Sequence, residues 1–213
     1  MICVSLGNIS PEQAFLICME VPLVEIRADL LKWSEDDFRK VIHYPAKSIF
    51  TCRPGVYSEK ERSDLFKMAA EEGAHYIDIE FESEKKITDE IMEIRNKYST
   101  KVIISYHNYK LTPDRKEMEN ILEECYHKQA DVAKIACRTN SQSDVARLLS
   151  LYEIKGRKVI LGMGEIAKIT RVAALWMGAE FTYASTGSGS ETAEGQIDYK
   201  TMQEITRLIN IRL

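Results

Sequence analysis

The sequence predicts an α/β protein folded as a single-domain (β/α)8 TIM barrel over residues 1–213. Three observations predict it. Eight short β-prone runs each precede a stretch of helical periodicity. Several of the runs are apolar without alternation, as strands buried on both faces are. Charged residues gather near the C-terminal ends of the runs, where barrel enzymes build their sites.

The strand runs are Ile2–Leu6, Leu23–Ala28, Ser48–Arg53, Tyr76–Phe81, Lys101–His107, Val132–Cys137, Lys158–Gly162 and Phe181–Ser185. Between them lie helix starts with a physical basis. Ser10-Pro11-Glu12-Gln13 combines an N-cap, proline at the first helical position and a capping-box glutamine. Thr112-Pro113 repeats the first two features. Ser34 with Asp37, and Ser141 with Asp144, set a capping oxygen before an acidic first turn. Gly73 and Gly178 stand as stop signals. The last helix begins near Tyr199, with Met202, Ile205, Leu208 and Ile209 on one stripe. A doubly wound open sheet competes with the barrel, but no G-x-G-x-x-G follows the first run.

Composition narrows the function classes. The chain has 213 residues, 45% hydrophobic and 29% charged, with a formal net charge of -4 and its charges interleaved. No basic tract offers a partner surface to nucleic acid, and no apolar run reaches membrane-spanning length. The opening strand leaves no room for a cleaved signal. The five cysteines, odd in number and without a C-x-x-C pair, read as reduced core thiols of a cytoplasmic protein.

Polar residues interrupt the apolar runs. Glu25, Arg27 and Asp29 share one face by period two, and helices covering the outside of a barrel force that face inward. Arg53 ends the third run, Asp78 and Glu80 alternate in the fourth, and His107 ends the fifth. Lys134 interrupts Val132-Ala133-Lys134-Ile135-Ala136, the seventh run delivers Met163, and Arg171 follows on the next helix. Taken singly, Lys134 reads equally as a snorkelling lysine and His107 as a core histidine. Glu25, Arg27, Asp78 and Glu80 read equally as a structural ion network. Their convergence at strand ends favours one site. His43, His75 and His127 carry no assigned chemistry. The loop Ser185–Ser190 has the composition of a phosphate cradle but lacks the Walker lysine, which favours a lid. The following Glu191-Thr192-Ala193-Glu194-Gly195-Gln196 would then bring side chains over the substrate.

In order along the chain, these landmarks resemble one family. They are Glu25-Ile26-Arg27-Ala28-Asp29, Thr51-Cys52-Arg53, Ile77-Asp78-Ile79-Glu80, Ser105-Tyr106-His107, Ala133-Lys134-Ile135-Ala136, Gly162-Met163-Gly164 with Arg171, and Gly195-Gln196-Ile197. The sequence is similar to type I 3-dehydroquinate dehydratases of the shikimate pathway over nearly its whole length. The resemblance implies loss of water from 3-dehydroquinate without metal or organic cofactor. By similarity Lys134 is the Schiff-base lysine and His107 the general acid/base. Glu25, Arg27, Arg53, Met163, Arg171, Thr192 and Gln196 match substrate-lining positions, with Glu59, Asp78 and Glu80 behind them. Family members are often homodimers, which the residues themselves leave open.

Two departures stand out. Many relatives carry a Glu-Gly-Gly-Glu stretch whose first glutamate bonds the catalytic histidine. Here the segment reads Arg53-Pro54-Gly55-Val56-Tyr57-Ser58-Glu59-Lys60-Glu61, so Glu59 or Glu61 is expected to orient His107. Thr192 stands where serine is common, keeping the hydroxyl. Enclosure of Lys134 in an apolar strand is expected to favour the neutral amine that attacks a carbonyl. Rival readings are another Schiff-base barrel, such as a class I aldolase, and a non-catalytic anion-binding barrel.

Overall fold

A computed structural model describes residues 1–187 and 190–209. Strands and helices alternate throughout. In order they are β1 (Ile2–Leu6), α1 (Pro11–Cys18), β2 (Leu23–Arg27), α2 (Glu35–Ile42), β3 (Lys47–Thr51), α3 (Glu59–Glu71), β4 (Tyr76–Glu80) and α4 (Lys85–Tyr98). They continue with β5 (Lys101–Asn108), α5 (Arg115–His127), β6 (Val132–Arg138), α6 (Gln142–Ser150), β7 (Lys158–Met163), α7 (Lys168–Trp176), β8 (Thr182–Ala184) and α8 (Tyr199–Leu208). All ladders are parallel, and the sheet runs β7-β6-β5-β4-β3-β2-β1-β8. That order is a (β/α)8 barrel with one open seam, and across the seam Glu180 N–H donates to Lys158 O at 3.0 Å. An open doubly wound sheet does not have β8 beside β1.

The helices begin where local chemistry satisfies their orphan donors. Ser10–Gln13, Ser34–Asp37 and Ser141–Asp144 are reciprocal capping boxes. Gly73 and Gly178, both at φ +88, follow the ends of α3 and α7, where a left-handed residue closes the helix. Other expectations need correction. Asp114, not Thr112, caps α5, because Thr112 turns inward and gives its hydroxyl to Arg138 O at 2.8 Å. Ser58 with Glu61 forms a further box at the start of α3. On α8, Met202 is buried but Leu208 is 66% exposed, so the apolar stripe fades over the last turn.

Two apolar shells follow from the period-two alternation of the strands. Outward residues such as Val24, Ile26, Ile77, Ile104 and Ile135 pack under the helices. Inward residues Cys3, Leu23, Ile49, Tyr76, Ile103, Val132, Val159 and Phe181 plug the N-terminal half of the barrel. Two residues further along every strand but β7, where Leu161 stays apolar, the same face turns polar, and the site begins there. All five cysteines are buried and unpaired. No helix among the described residues is long and apolar enough to cross a membrane.

Candidate active site

The deepest polar layer is centred on Lys134, in the middle of β6. Its Nζ donates to Asp78 Oδ2 (2.8 Å) and to Tyr183 OH (3.1 Å), and lies 3.7 Å from Glu25 Oε1. The carboxylates are held in turn. Ser5 (2.7 Å) and Thr51 (3.1 Å) donate to Glu25, and Ser105 (2.5 Å) donates to Asp78. Seven of the eight strands thus contribute to one buried network, β7 alone being absent. Burial by itself would raise the Glu25 carboxyl. The charges of Lys134, Arg27 and Arg53, with the Ser5 hydroxyl, outweigh it and bring the pKa down to about 2. The surroundings of Lys134 therefore differ from the expected apolar enclosure. Its side chain is buried, but its head meets two carboxylates and a phenol.

Above this layer His107, at the end of β5, is fixed from both sides. Glu80 Oε2 lies 2.8 Å from Nδ1, and Arg53 Nη2 lies 2.8 Å from Nε2. A guanidinium can only donate, so Nε2 accepts and Nδ1–H donates to Glu80. Burial, reinforced by the charges of Arg53 and Lys134, holds the imidazole well below its ordinary value. Burial likewise raises Glu80. The contact is thus a neutral imidazole oriented by a carboxylate. Tyr109 stacks on His107, with ring centroids 6.1 Å apart and planes 10° apart, and its hydroxyl accepts from Arg53.

Glu80 therefore occupies the place expected for Glu59 or Glu61. Both of those are committed by the local helix start. Glu61 closes the capping box with Ser58, and Glu59 pairs with buried Arg62 at 2.7 Å. Arg62 in turn donates to Cys52 O at 2.9 Å, which ties α3 to the end of β3.

These groups open into a cavity of about 330 Å³. Glu25, Arg27, Arg53, His107, Lys134, Met163, Arg171, Thr192 and Gln196 all line it. Asp78 reaches it only through Lys134, and Glu59 does not line it. Arg27 makes a bidentate pair with Asp29 (3.0 and 2.6 Å), just past the end of β2. Arg171 is buried, which lowers its pKa to about 10, and its Nε donates to Gly195 O at 2.9 Å. It remains a cation at neutral pH.

The segment after β8 covers the cavity. Gln196 and Thr192 bond each other at 2.8 and 3.1 Å, and Glu194 pairs with Arg138 from the end of β6. Gly195, at φ +78, lets this segment press on the turn after β7, where a Cβ would meet Gly164 O at 2.5 Å. Ser188 and Gly189 of the expected lid lie outside the described residues. Among the described residues no group of three His, Cys, Asp or Glu is arranged to hold a metal ion.

Sequence reasoning missed Tyr183, Tyr109, Arg138 and Ser5, which also line the cavity, while Glu194 lies over it as expected of its segment. Ser5 and Tyr183 carried a usable signal, since strand parity puts both on inward faces. Tyr109 sits just past the end of β5, where period two gives no direction.

The sequence matches the family described as type I 3-dehydroquinase over residues 2–212. The chain belongs to that family, and it is an enzyme of the hydro-lyase class. It is 36% identical to the 3-dehydroquinate dehydratase of Methanocaldococcus jannaschii, with 100% of each chain covered. It is 32% identical to that of Pyrococcus abyssi, covering 88% of this chain and 87% of that one. The crystal structure of the 3-dehydroquinate dehydratase from Aquifex aeolicus superposes with a TM-score of 0.86 at 31% identity, again over 100% of both chains. The type I 3-dehydroquinases thus supply the frame for the buried network.

Replacing the central cation tests that network. Lys134→Met leaves Glu25 and Asp78 buried without it, so stability at pH 7 is expected to fall by about 3–5 kcal/mol. The loss should shrink toward pH 5 as Glu25, freed of the cation that keeps its pKa low, takes up a proton. Urea unfolding at both pH values measures it, and a pH-independent or negligible loss contradicts the pairing.

Proposed function

We propose that this type I 3-dehydroquinase converts 3-dehydroquinate to 3-dehydroshikimate and water through an imine on Lys134, with His107 as general acid/base. One observation carries the reading. A buried lysine amine lies at the base of a cavity whose walls also hold a neutral, oriented histidine and a buried arginine. The names of the homologous dehydratases support the same substrate, and with it a place in the shikimate pathway toward aromatic amino acids.

Lys134 passes a proton to Asp78, 2.8 Å away, and the neutral amine adds to the ketone carbon. The resulting carbinolamine sheds its hydroxyl as water, taking back that proton, and leaves a protonated imine. The imine withdraws electrons from the neighbouring C–H. His107 Nε2 removes that proton, and the resulting enamine expels the ring hydroxyl as His107 returns the proton to it. Water then hydrolyses the product imine and frees Lys134. Arg53 occupies Nε2 in the structure, so substrate entry has to displace it.

Binding follows the same inventory. Arg171 suits the substrate carboxylate as a planar donor, with Gln196 and Thr192 beside it. Glu25, Arg27 and Arg53 suit ring hydroxyls, each such buried partner being worth about 1–3 kcal/mol. Met163 supplies an apolar wall. Five buried, unpaired cysteines fit a cytoplasmic setting.

Borohydride added with 3-dehydroquinate is expected to leave a reduced adduct on Lys134, read by peptide mass spectrometry. Turnover without any adduct would exclude the imine, and aldol-donor sugars serve as the control. The variant His107→Ala should still form adduct while kcat falls by about 100-fold or more.

The pH profile gives a separate check. His107 acts as a base only when neutral, and its pKa lies well below 6.5. Activity should therefore persist as pH falls through 6.5, with the acid limb of kcat/KM lying lower. An acid limb centred at or above 6.5 contradicts the assignment.

A further inference from the structure

We propose that Tyr183 is a further catalytic residue of this site, its phenolic O–H protonating the substrate's carbonyl oxygen while Lys134 adds to the carbonyl carbon. The proposal rests on the imine reading above and assigns one step within it.

Addition of an amine to a ketone turns the carbonyl oxygen into an alkoxide, which needs a proton as the C–N bond forms. The groups around Lys134 differ in their ability to give one. Among the described residues three groups surround Nζ, namely Asp78, Glu25 and Tyr183. Glu25 is held well down as a carboxylate and has no proton to give. The proton that Asp78 takes from Lys134 is the one spent later in expelling the carbinolamine hydroxyl. The hydroxyls of Ser5, Thr51 and Ser105 are already donated to those carboxylates. His107 is held by Glu80 and Arg53 rather than by the lysine. Among the described residues the phenol, 3.1 Å from Nζ, is the O–H at the bond-forming atom that no other step uses.

Its setting suits the task. Tyr183 is 3% exposed, lines the cavity, and packs edge-on against Phe181, with ring centroids 5.5 Å apart. Burial, with the Glu25 and Asp78 charges, raises its pKa well above 10, so the proton is present at any working pH. The ammonium donates to the phenolic oxygen, which leaves the phenol's own proton unspent. The face of the ring also lies 4.4 Å from Nζ, where it favours the cationic imine that follows.

The step balances without any further reactant. The lone pair of neutral Nζ forms the C–N bond, and the C=O π pair moves onto oxygen. That oxygen takes the phenolic proton. The phenolate recovers a proton from the newly quaternised Nζ across the 3.1 Å contact, giving a neutral carbinolamine and an unchanged tyrosine.

The variant Tyr183→Phe keeps the ring and its packing, and it is tested with 3-dehydroquinate by quenched-flow borohydride trapping. The rate of Lys134 adduct formation is expected to fall by about tenfold or more, within the range of general acid catalysis. The primary isotope effect from deuterium at the abstracted C–H should fall toward unity, because imine formation then limits turnover. An adduct rate within about twofold of the parent, with an unchanged isotope effect, overturns the proposal. Parent enzyme that turns over without forming any adduct would instead remove the imine reading itself. Should Tyr183→Phe fold poorly, 3-fluorotyrosine placed at position 183 keeps the hydroxyl but makes it more acidic. The rate of adduct formation at neutral pH is then expected to rise, and an unchanged or lower rate overturns the assignment.

Discussion

One cation shared between two carboxylates organises the centre of this barrel. Lys134 is 4%, Glu25 3% and Asp78 3% exposed, and no single pair among them would repay the loss of water. The three groups are tolerable because Ser5, Thr51, Ser105 and Tyr183 satisfy the remaining donors and acceptors. Since those residues come from seven strands, the network forms only when the sheet closes. Barrel closure and the assembly of the reactive amine are therefore one event.

The second layer is built on a different balance. His107 is kept neutral by burial and by nearby cations, yet it is oriented by the carboxylate of Glu80. The lysine layer holds charge by pairing, while the histidine layer excludes charge by desolvation. Keeping the two side by side separates the group that bonds to the substrate from the group that moves its proton. Arg53 joins them, lying 3.4 Å from Glu80 Oε1 and 2.8 Å from His107 Nε2. The loop carrying Thr192, Glu194 and Gln196 then limits access from above, anchored by Arg171 to Gly195 and by Arg138 to Glu194.

Much of this architecture is legible in the amino-acid order. All eight strand runs appear as strands, with ends shifted by a residue or two, because nonalternating apolar runs have few other uses. Three capping boxes form where expected, since they depend on residues three apart. The inward placement of Glu25 and Arg27 follows from parity alone. Glu59 departs from expectation for an equally local reason. Ser58 starts a helix there, and that start turns Glu59 and Glu61 to caps and to Arg62. Leu208 departs because periodicity marks a stripe without saying whether anything covers it.

The sequence by itself determined the order of strands and helices, the face each charged residue occupies, and the family that supplies the chemistry. Those are properties of spacing, and spacing is written along the chain. Only the tertiary structure decided which carboxylate holds His107, and that a phenol from β8 meets the amine from β6. Such contacts depend on the stagger of neighbouring strands and on closure through β1, which set distances between residues some fifty positions apart.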